Sequence, residues 1–209
     1  MSDARFITIE GIEGAGKSTV AKLVGAWLAR QGIPARLTRE PGGTPLAERV
    51  RQIVLERGAE AVSPVTETLL MFAARAQHVQ SVIAPALARG EWVVCDRFTD
   101  ATRAYQGSGR GVDMGLIDAL AKAVHPKLAP DCTLLLDLSA PAGLARARGR
   151  PGGSVDRFES EAAGFFAKVR AGYLTLARAE PQRFRIIDAA APLEDVEQRV
   201  IEILEGLCS

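Results

Sequence analysis

Short apolar runs rich in β-branched residues alternate along this chain with longer stretches in which apolar side chains return every three or four positions. That alternation predicts parallel strands joined by crossover helices, an α/β fold with a five-stranded parallel sheet flanked by helices on both faces. The expected strands are residues 5–10, 35–38, 92–96, 132–137 and 183–188. The expected helices are 17–31, 45–57, 64–89, 115–124, 141–148, 156–179 and 192–207. In the longest of these, Val65, Leu69, Phe72, Ala76, Val79, Ile83 and Leu87 form one stripe that should be buried, and Pro85 should kink the helix near its end. No internal repeat interrupts the pattern.

Composition narrows the class. The 209 residues are 47% hydrophobic, enough for one domain over 1–209 with its own core. Lys and Arg number 26 against 25 Asp and Glu, so the chain carries no global field calling for a nucleic acid polymer or a membrane surface. No apolar run reaches the roughly 18 residues that a membrane span needs, and the first residues show no secretory signal pattern. Cys95, Cys132 and Cys208 form no Cys-x-x-Cys pair, and the first two sit in apolar runs, which fits buried thiols in a cytoplasmic protein. The segment from Arg146 to Arg157, "RARGRPGGSVDR", sets four arginines against one aspartate among helix breakers. It reads as a mobile loop over about 147–157, either an ordinary solvated loop or a lid that handles anions.

The chemistry begins at "GIEGAGKS", Gly11 to Ser18, which matches Gly-x-x-x-x-Gly-Lys-Ser at every fixed position. It follows the strand "RFITIE" and opens the helix "STVAKLVGAWLAR", the context this phosphate-binding loop requires. Backbone N–H groups of Gly11, Ile12, Glu13, Gly14, Ala15 and Gly16 would cradle phosphate oxygens, with Thr19 in the first helical turn. Lys17 would reach the β- and γ-phosphates, and the Ser18 hydroxyl would ligate Mg²⁺. The chain has no Asn-Lys-x-Asp guanine reader, which argues against a GTPase switch. Its length suits a small ATP-dependent phosphotransferase, which needs an acceptor site.

"EWVVCDR" supplies one. Ligands of parallel α/β sheets meet the carboxyl ends of strands, so Asp96 and Arg97 land beside the cradle if this strand neighbours the first. Asp96 can then hold Mg²⁺ water or orient phosphate, and Arg97 can fork two oxygens of an acceptor phosphate. The bland alternative is a structural Asp–Arg pair at a strand end.

"DRFTDATRAYQGSGRG" from Asp96 closely resembles the signature of thymidylate kinases. "TREPGGT" (38–44) and "FAAR" (72–75) resemble two further segments of that family in the expected order, and the phosphate loop with acidic Glu13 resembles its loop. The resemblance covers nearly the whole chain. It implies a nucleoside monophosphate kinase-like P-loop fold and transfer of the γ-phosphate of ATP to dTMP, giving dTDP and ADP in dTTP biosynthesis, with Mg²⁺. By that likeness Arg97 grips the dTMP phosphate, Arg75 hydrogen-bonds the thymine edge, and Thr102 and Gln106 help read the base. Glu40, Pro41 and Arg51 line the monophosphate pocket, and Tyr105 packs by the deoxyribose. The stacking aromatic of the family usually lies four residues before the helix arginine, where this chain has Met71; Phe72 lies three before, and either side chain can cover the base. The family's usual hydroxyl residue before Thr102 is Ala101 here.

Some thymidylate kinases carry an arginine directly after the acidic loop residue, where this chain has Gly14; others carry it in the lid, as Arg148 and Arg150 do here. Glu13 is then expected to face the sugar 3′-hydroxyl. Asp156 and Glu159 resemble acidic positions near the metal and acceptor, or simply complement a helix dipole. Family likeness also implies a homodimer packed through helices. Two other readings use the same motifs: a kinase of another nucleotide, and a nucleotide-dependent switch, against which Tyr105-Gln106-Gly107 argues.

Overall fold

The structure is a computed structural model that describes residues 4–56, 60–149 and 163–208. Its centre is a five-stranded, all-parallel sheet made of β1 (Phe6–Glu10), β2 (Ala35–Arg39), β3 (Trp92–Asp96), β4 (Cys132–Asp137) and β5 (Phe184–Asp188), in the order β2-β3-β1-β4-β5. Each strand expected from the sequence forms, with ends shifted by one residue at most. The sheet is covered on both faces, and the strands show why. In β1, Ile7 and Ile9 enter one apolar cluster with Val20, Val24 and Leu28 of α1 (Lys17–Arg30) and Val196, Val200 and Leu204 of α9 (Leu193–Cys208). Phe6 points the other way, joining Val93, Cys95 and Phe98 against Val79, Ile83 and Ala86. Alternating side chains buried on both faces are what a parallel sheet demands.

The remaining helices are α2 (Pro45–Leu55), α3 (Pro64–His78), α4 (Ala84–Ala88), α5 (Thr99–Thr102), α6 (Met114–Val124), α7 (Ala140–Arg148) and α8 (Ala163–Ala179). Thr44 caps α2 and Ser63 caps α3 through their hydroxyls, each with a proline in the first turn. The expected helix over 64–89 is divided. A π-turn, Val79–Ile83, separates α3 from α4, and the Ala84 N–H reaches back five residues to Val79 O. Pro85 follows at once; having no N–H, it cannot continue an ordinary ladder, and the wider turn absorbs the defect. The turn also re-phases the helix. Val79 and Ile83 are buried as expected, but upstream Val65 and Leu69 stay 47% and 48% exposed, while Glu67, Met71, Phe72, Arg75 and His78 face inward. The single apolar stripe is therefore two faces of different character.

One element was not foreseen. Beyond β3 the chain runs into α5 and then a second π-turn, Arg103–Gly109. Its attachment is polar: Asp100 is buried and takes Arg183 in a two-pronged pair at 2.6 and 3.0 Å, which ties this segment to the start of β5. It carries Thr102, Tyr105 and Gln106 to the carboxyl end of the sheet. Cys95 and Cys132 are buried thiols and Cys208 is exposed. Among the described residues no helix is long and apolar enough to cross a membrane.

Candidate active site

Strands β1 and β3 pair in parallel, with Ile9 opposite Asp96, so the phosphate loop and the Asp96-Arg97 turn emerge side by side. Gly11, Gly14 and Gly16 all take positive φ as the chain turns from β1 into α1. Gly14 is also constrained from outside. A Cβ there would run into the carbonyl oxygen of Gly143 in α7, and a Cβ on Gly143 would lie 2.6 Å from Glu13 O and 2.7 Å from Ile12 Cδ1. Two helix and loop backbones thus meet with no side chain between them. Ala15 and Ile12 pack inward, whereas Ser18 and Thr19 are exposed at the helix start.

Lys17 folds over this loop and donates from Nζ to Ile12 O at 2.8 Å. Burial, then repulsion from Arg97, lowers its pKa to about 8. The Ser18 hydroxyl donates to Asp96 Oδ2 at 3.2 Å. A hydroxyl and a carboxylate at a solvent-open position form a hard oxygen pair of the kind Mg²⁺ accepts while keeping several waters.

Arg97 adopts a left-handed backbone, φ 72°, unusual for a side chain of its size and costing roughly 1–2 kcal/mol. Its amide bonds Ile9 O at 3.0 Å, and its guanidinium turns under the phosphate loop. Nη2 donates to Glu13 Oε1 at 2.7 Å and Tyr105 OH at 3.0 Å; Nη1 donates to Gly11 O at 3.1 Å and Tyr173 OH at 3.3 Å. The Tyr105 hydroxyl closes the ring by donating to Glu13 Oε2. Burial works to raise the Glu13 pKa, but Arg97 and then Lys17 outweigh it and hold the carboxyl below its usual range. Glu13 thus engages Arg97 through one oxygen and Tyr105 through the other. Behind Arg97, Tyr173 of α8 donates to Glu10 Oε2 at 2.7 Å, and Glu10 Oε1 accepts the Phe98 N–H at 2.7 Å. Burial, then the charge of Asp100, pushes the Glu10 pKa up to about 8.

Beside this cluster lies a cavity of about 80 Å³ lined by Glu13, Glu40, Pro41, Arg51, Leu55, Met71, Arg97, Ala101, Tyr105 and Gln106. Most of the residues expected at an acceptor pocket meet here. The Glu40–Pro41 peptide is cis, and Arg51 Nη1 donates to Pro41 O at 3.1 Å. Arg75 stands behind the lining, fully buried, its guanidinium between the rings of Phe72 at 4.7 Å and Phe98 at 5.2 Å. Nε donates to Glu40 Oε2 at 2.7 Å, and Nη2 donates to Phe98 O and to Thr102 Oγ1, each at 3.1 Å. Thr102 acts on Arg75 rather than lining the cavity. Met71 lines it, and Phe72 packs behind with Val112, Ile117 and Ala121. Gln106 donates from Nε2 to Glu67 Oε1 at 2.7 Å. Two functional atoms in this region stay buried with no partner, Arg75 Nη1 and Gln106 Oε1, one a donor and one an acceptor.

Arg148 ends α7 and is exposed. Arg150, Asp156 and Glu159 lie outside the described residues. Reading the sequence missed Glu10, Glu67, His78, Gly143 and Tyr173. A signal existed for two of them: Glu67, Met71, Arg75 and His78 recur at helical spacing, so a polar stripe runs down α3 beside the apolar one. His78 is buried, linking Glu40 Oε1 at 2.9 Å to Thr38 Oγ1 at 2.7 Å. Donor atoms of Glu40, His78 and Cys95 come within 4.8 Å of one another, but each is already engaged: the thiol donates to Arg97 O at 3.0 Å. Glu40, backed by His78, is a hydrogen-bonded support of Arg75.

The chain is similar to known proteins over nearly its whole length. A sequence model of the family described as thymidylate kinase fits residues 9–200. The thymidylate kinase of Pseudomonas syringae pv. syringae (strain B728a) is 58% identical over 202 residues, 97% of this chain and 95% of that one. The thymidylate kinase of Pseudomonas putida (strain W619) is 55% identical over 202 residues, 97% of each chain. The crystal structure of thymidylate kinase from Ehrlichia chaffeensis superposes with a TM-score of 0.77 at 32% identity, covering 98% of both chains.

Two outcomes follow from the loop. Phosphates favour the ammonium form of Lys17, which is mostly neutral in the free protein above about pH 8. Nucleoside triphosphate binding at about pH 9 should take up a proton and be weaker than at about pH 7. Calorimetric titration in buffers of different ionisation enthalpy measures this; heats at the higher pH that do not vary with the buffer would contradict it. Gly143→Ala should displace the loop, costing about 1–3 kcal/mol in urea unfolding and raising KM for the triphosphate. Unchanged stability and KM would show that the contact yields freely.

Proposed function

Because this chain belongs to the thymidylate kinase family, and so transfers the γ-phosphate of ATP to dTMP to give dTDP and ADP in dTTP synthesis, we propose that Arg75 Nη1 and Gln106 Oε1 select the base. The observation that carries this reading is their lack of partners: a buried donor and a buried acceptor, each costing about 1–3 kcal/mol when left alone. Thymine presents the complement on one edge, a carbonyl acceptor at O4 beside an N–H donor at N3. Cytosine presents the reverse, a donor at N4 beside an acceptor at N3, and would set like against like at both atoms. Met71 covers the base with Phe72 behind it, and Thr102 acts by holding Arg75. The cavity is small, and Met71, with three rotatable bonds, is the lining residue best able to make room.

At the other end Arg97 grips the dTMP phosphate. Its strained backbone and four hydrogen-bond partners fix the fork before the acceptor arrives, so little orientational freedom is lost on binding. Glu13 and Tyr105 position that fork. Tyr105 also flanks the deoxyribose, and Glu40, Pro41 and Arg51 complete the wall. On the donor side the loop from Gly11 to Thr19 cradles the ATP phosphates, Lys17 carries charge to the β- and γ-phosphates, and Arg148 and Arg150 supply it from the lid segment. Ser18 and Asp96 are the residues that would hold Mg²⁺, which neutralises charge on the triphosphate. Catalysis on this reading is alignment and charge neutralisation, and the protein supplies no covalent step.

The reading extends to assembly. Residues 1–209 act as one kinase domain, in the cytoplasm, as a homodimer. Leu46 and Ile53 of α2 and Val65 and Leu69 of α3 leave between 43% and 52% of their surface exposed on two helices that pack together. A second copy of the same face is the covering we assign.

Coupled ADP-release assays across dTMP, dUMP, dCMP, dGMP and AMP test the first claim. dTMP should be preferred throughout, with dCMP worse than dUMP, since dUMP lacks only the methyl group; equal turnover of dCMP and dUMP would defeat the base-reading pair. For the second claim, sedimentation equilibrium should find a dimer for the natural chain and a monomer for Ile53→Glu/Leu69→Glu. A monomeric natural chain at micromolar concentration would overturn it.

A further inference from the structure

We propose that Glu67 is a specificity-determining positioning residue: it locks the Gln106 amide so that only the carbonyl oxygen is offered to the base. The inference rests on the reading that Gln106 meets the base, and adds what decides which end of the amide does so.

A glutamine side chain is ambiguous by nature. Its oxygen and nitrogen have nearly the same size, and a half-turn about the last bond exchanges an acceptor for a donor. A site that uses glutamine to tell thymine from cytosine therefore needs something to forbid that half-turn. Glu67, on α3, is fully buried and lies against Gln106, whose Nε2 donates to Glu67 Oε1 at 2.7 Å. An ionised carboxylate only accepts. Turning the amide over would break a charge-assisted hydrogen bond and press one oxygen against another in a site without solvent. The Gln106 oxygen is thereby fixed on the side away from Glu67, where it has no partner in the protein.

A second residue holds the carboxylate in place. Arg110 Nε donates to the same Glu67 Oε1 at 3.2 Å, giving the buried carboxylate the opposite charge it needs. Arg110 is itself placed by the Phe165 ring, 5.0 Å from its guanidinium carbon. Gln106 and Arg110 both belong to the π-turn segment and its C-cap, whose wide turn brings the two side chains to one carboxylate.

The test is Glu67→Gln. This change keeps shape and hydrogen bonding but replaces an acceptor-only partner with one that can face Gln106 in either sense. The ratio of kcat/KM for dTMP to that for dCMP should fall roughly 10-fold or more, with the dCMP value rising in absolute terms. A merely structural role for Glu67 would lower both substrates in proportion and leave the ratio standing, which overturns the proposal. If the single variant fails to fold because Arg110 loses its counter-charge, Glu67→Gln/Arg110→Gln removes both charges and is read by the same ratio. Gln106→Leu run alongside separates the two levels of inference. If it loses discrimination while the Glu67 variants keep it, the lock is wrong and the base reading stands. If its ratio equals that of the natural chain, Gln106 does not read the base and both fall.

Discussion

A partly enclosed positive charge at Arg97 organises this molecule. Its guanidinium sits under the phosphate loop on a backbone conformation that few side chains tolerate, and the four groups that bond it come from three separate parts of the chain. Glu13 and Gly11 come from the loop after β1, Tyr105 from the π-turn after α5, and Tyr173 from α8. Remove the charge and these segments lose their common partner. The carboxylate in the phosphate cradle, at first sight a liability beside phosphates, is explained by that demand. On the proposed reading it is the counter-charge that holds the arginine aligned for an acceptor phosphate.

The base side follows a different logic. Its polar groups are neutralised in pairs and chains, Arg75 with Glu40 and His78, Gln106 with Glu67 and Arg110, until one donor and one acceptor remain. Selection by hydrogen bonds is strong because a mismatched ligand leaves those atoms unpaired out of water. Selection between bases that differ by a methyl group is weak by comparison. On the proposed reading it falls to the apolar wall around Met71 and Ala101.

Most of the architecture could be read from the chain because strands and helices here advertise themselves by period. Val93 and Val94 bury opposite faces of one strand, and Val20, Val24 and Leu28 return along one side of α1. The site was legible where spacing carries chemistry, as in Gly11 to Ser18 or Asp96-Arg97. It was hidden where function depends on which way a helix faces. Val65 and Leu69 looked like core and are surface, because a π-turn downstream changes the helix phase and because tertiary ion pairs pull Glu67, Arg75 and His78 inward. The segment 99–109 showed no legible element because glycines and polar residues rarely favour helix, and its wide turns rest on packing against α8 and its other neighbours. Tyr173 gave no local signal at all, since its partner Glu10 lies 163 residues away.

The bare contact between Gly14 and Gly143 bears on how such enzymes can diverge. A side chain at position 14 needs the volume that the α7 backbone already occupies, and α7 is the helix that ends at Arg148. Any residue other than glycine at position 14 would require α7 to retreat, so the loop can gain a side chain there only together with a change in the helix that faces it.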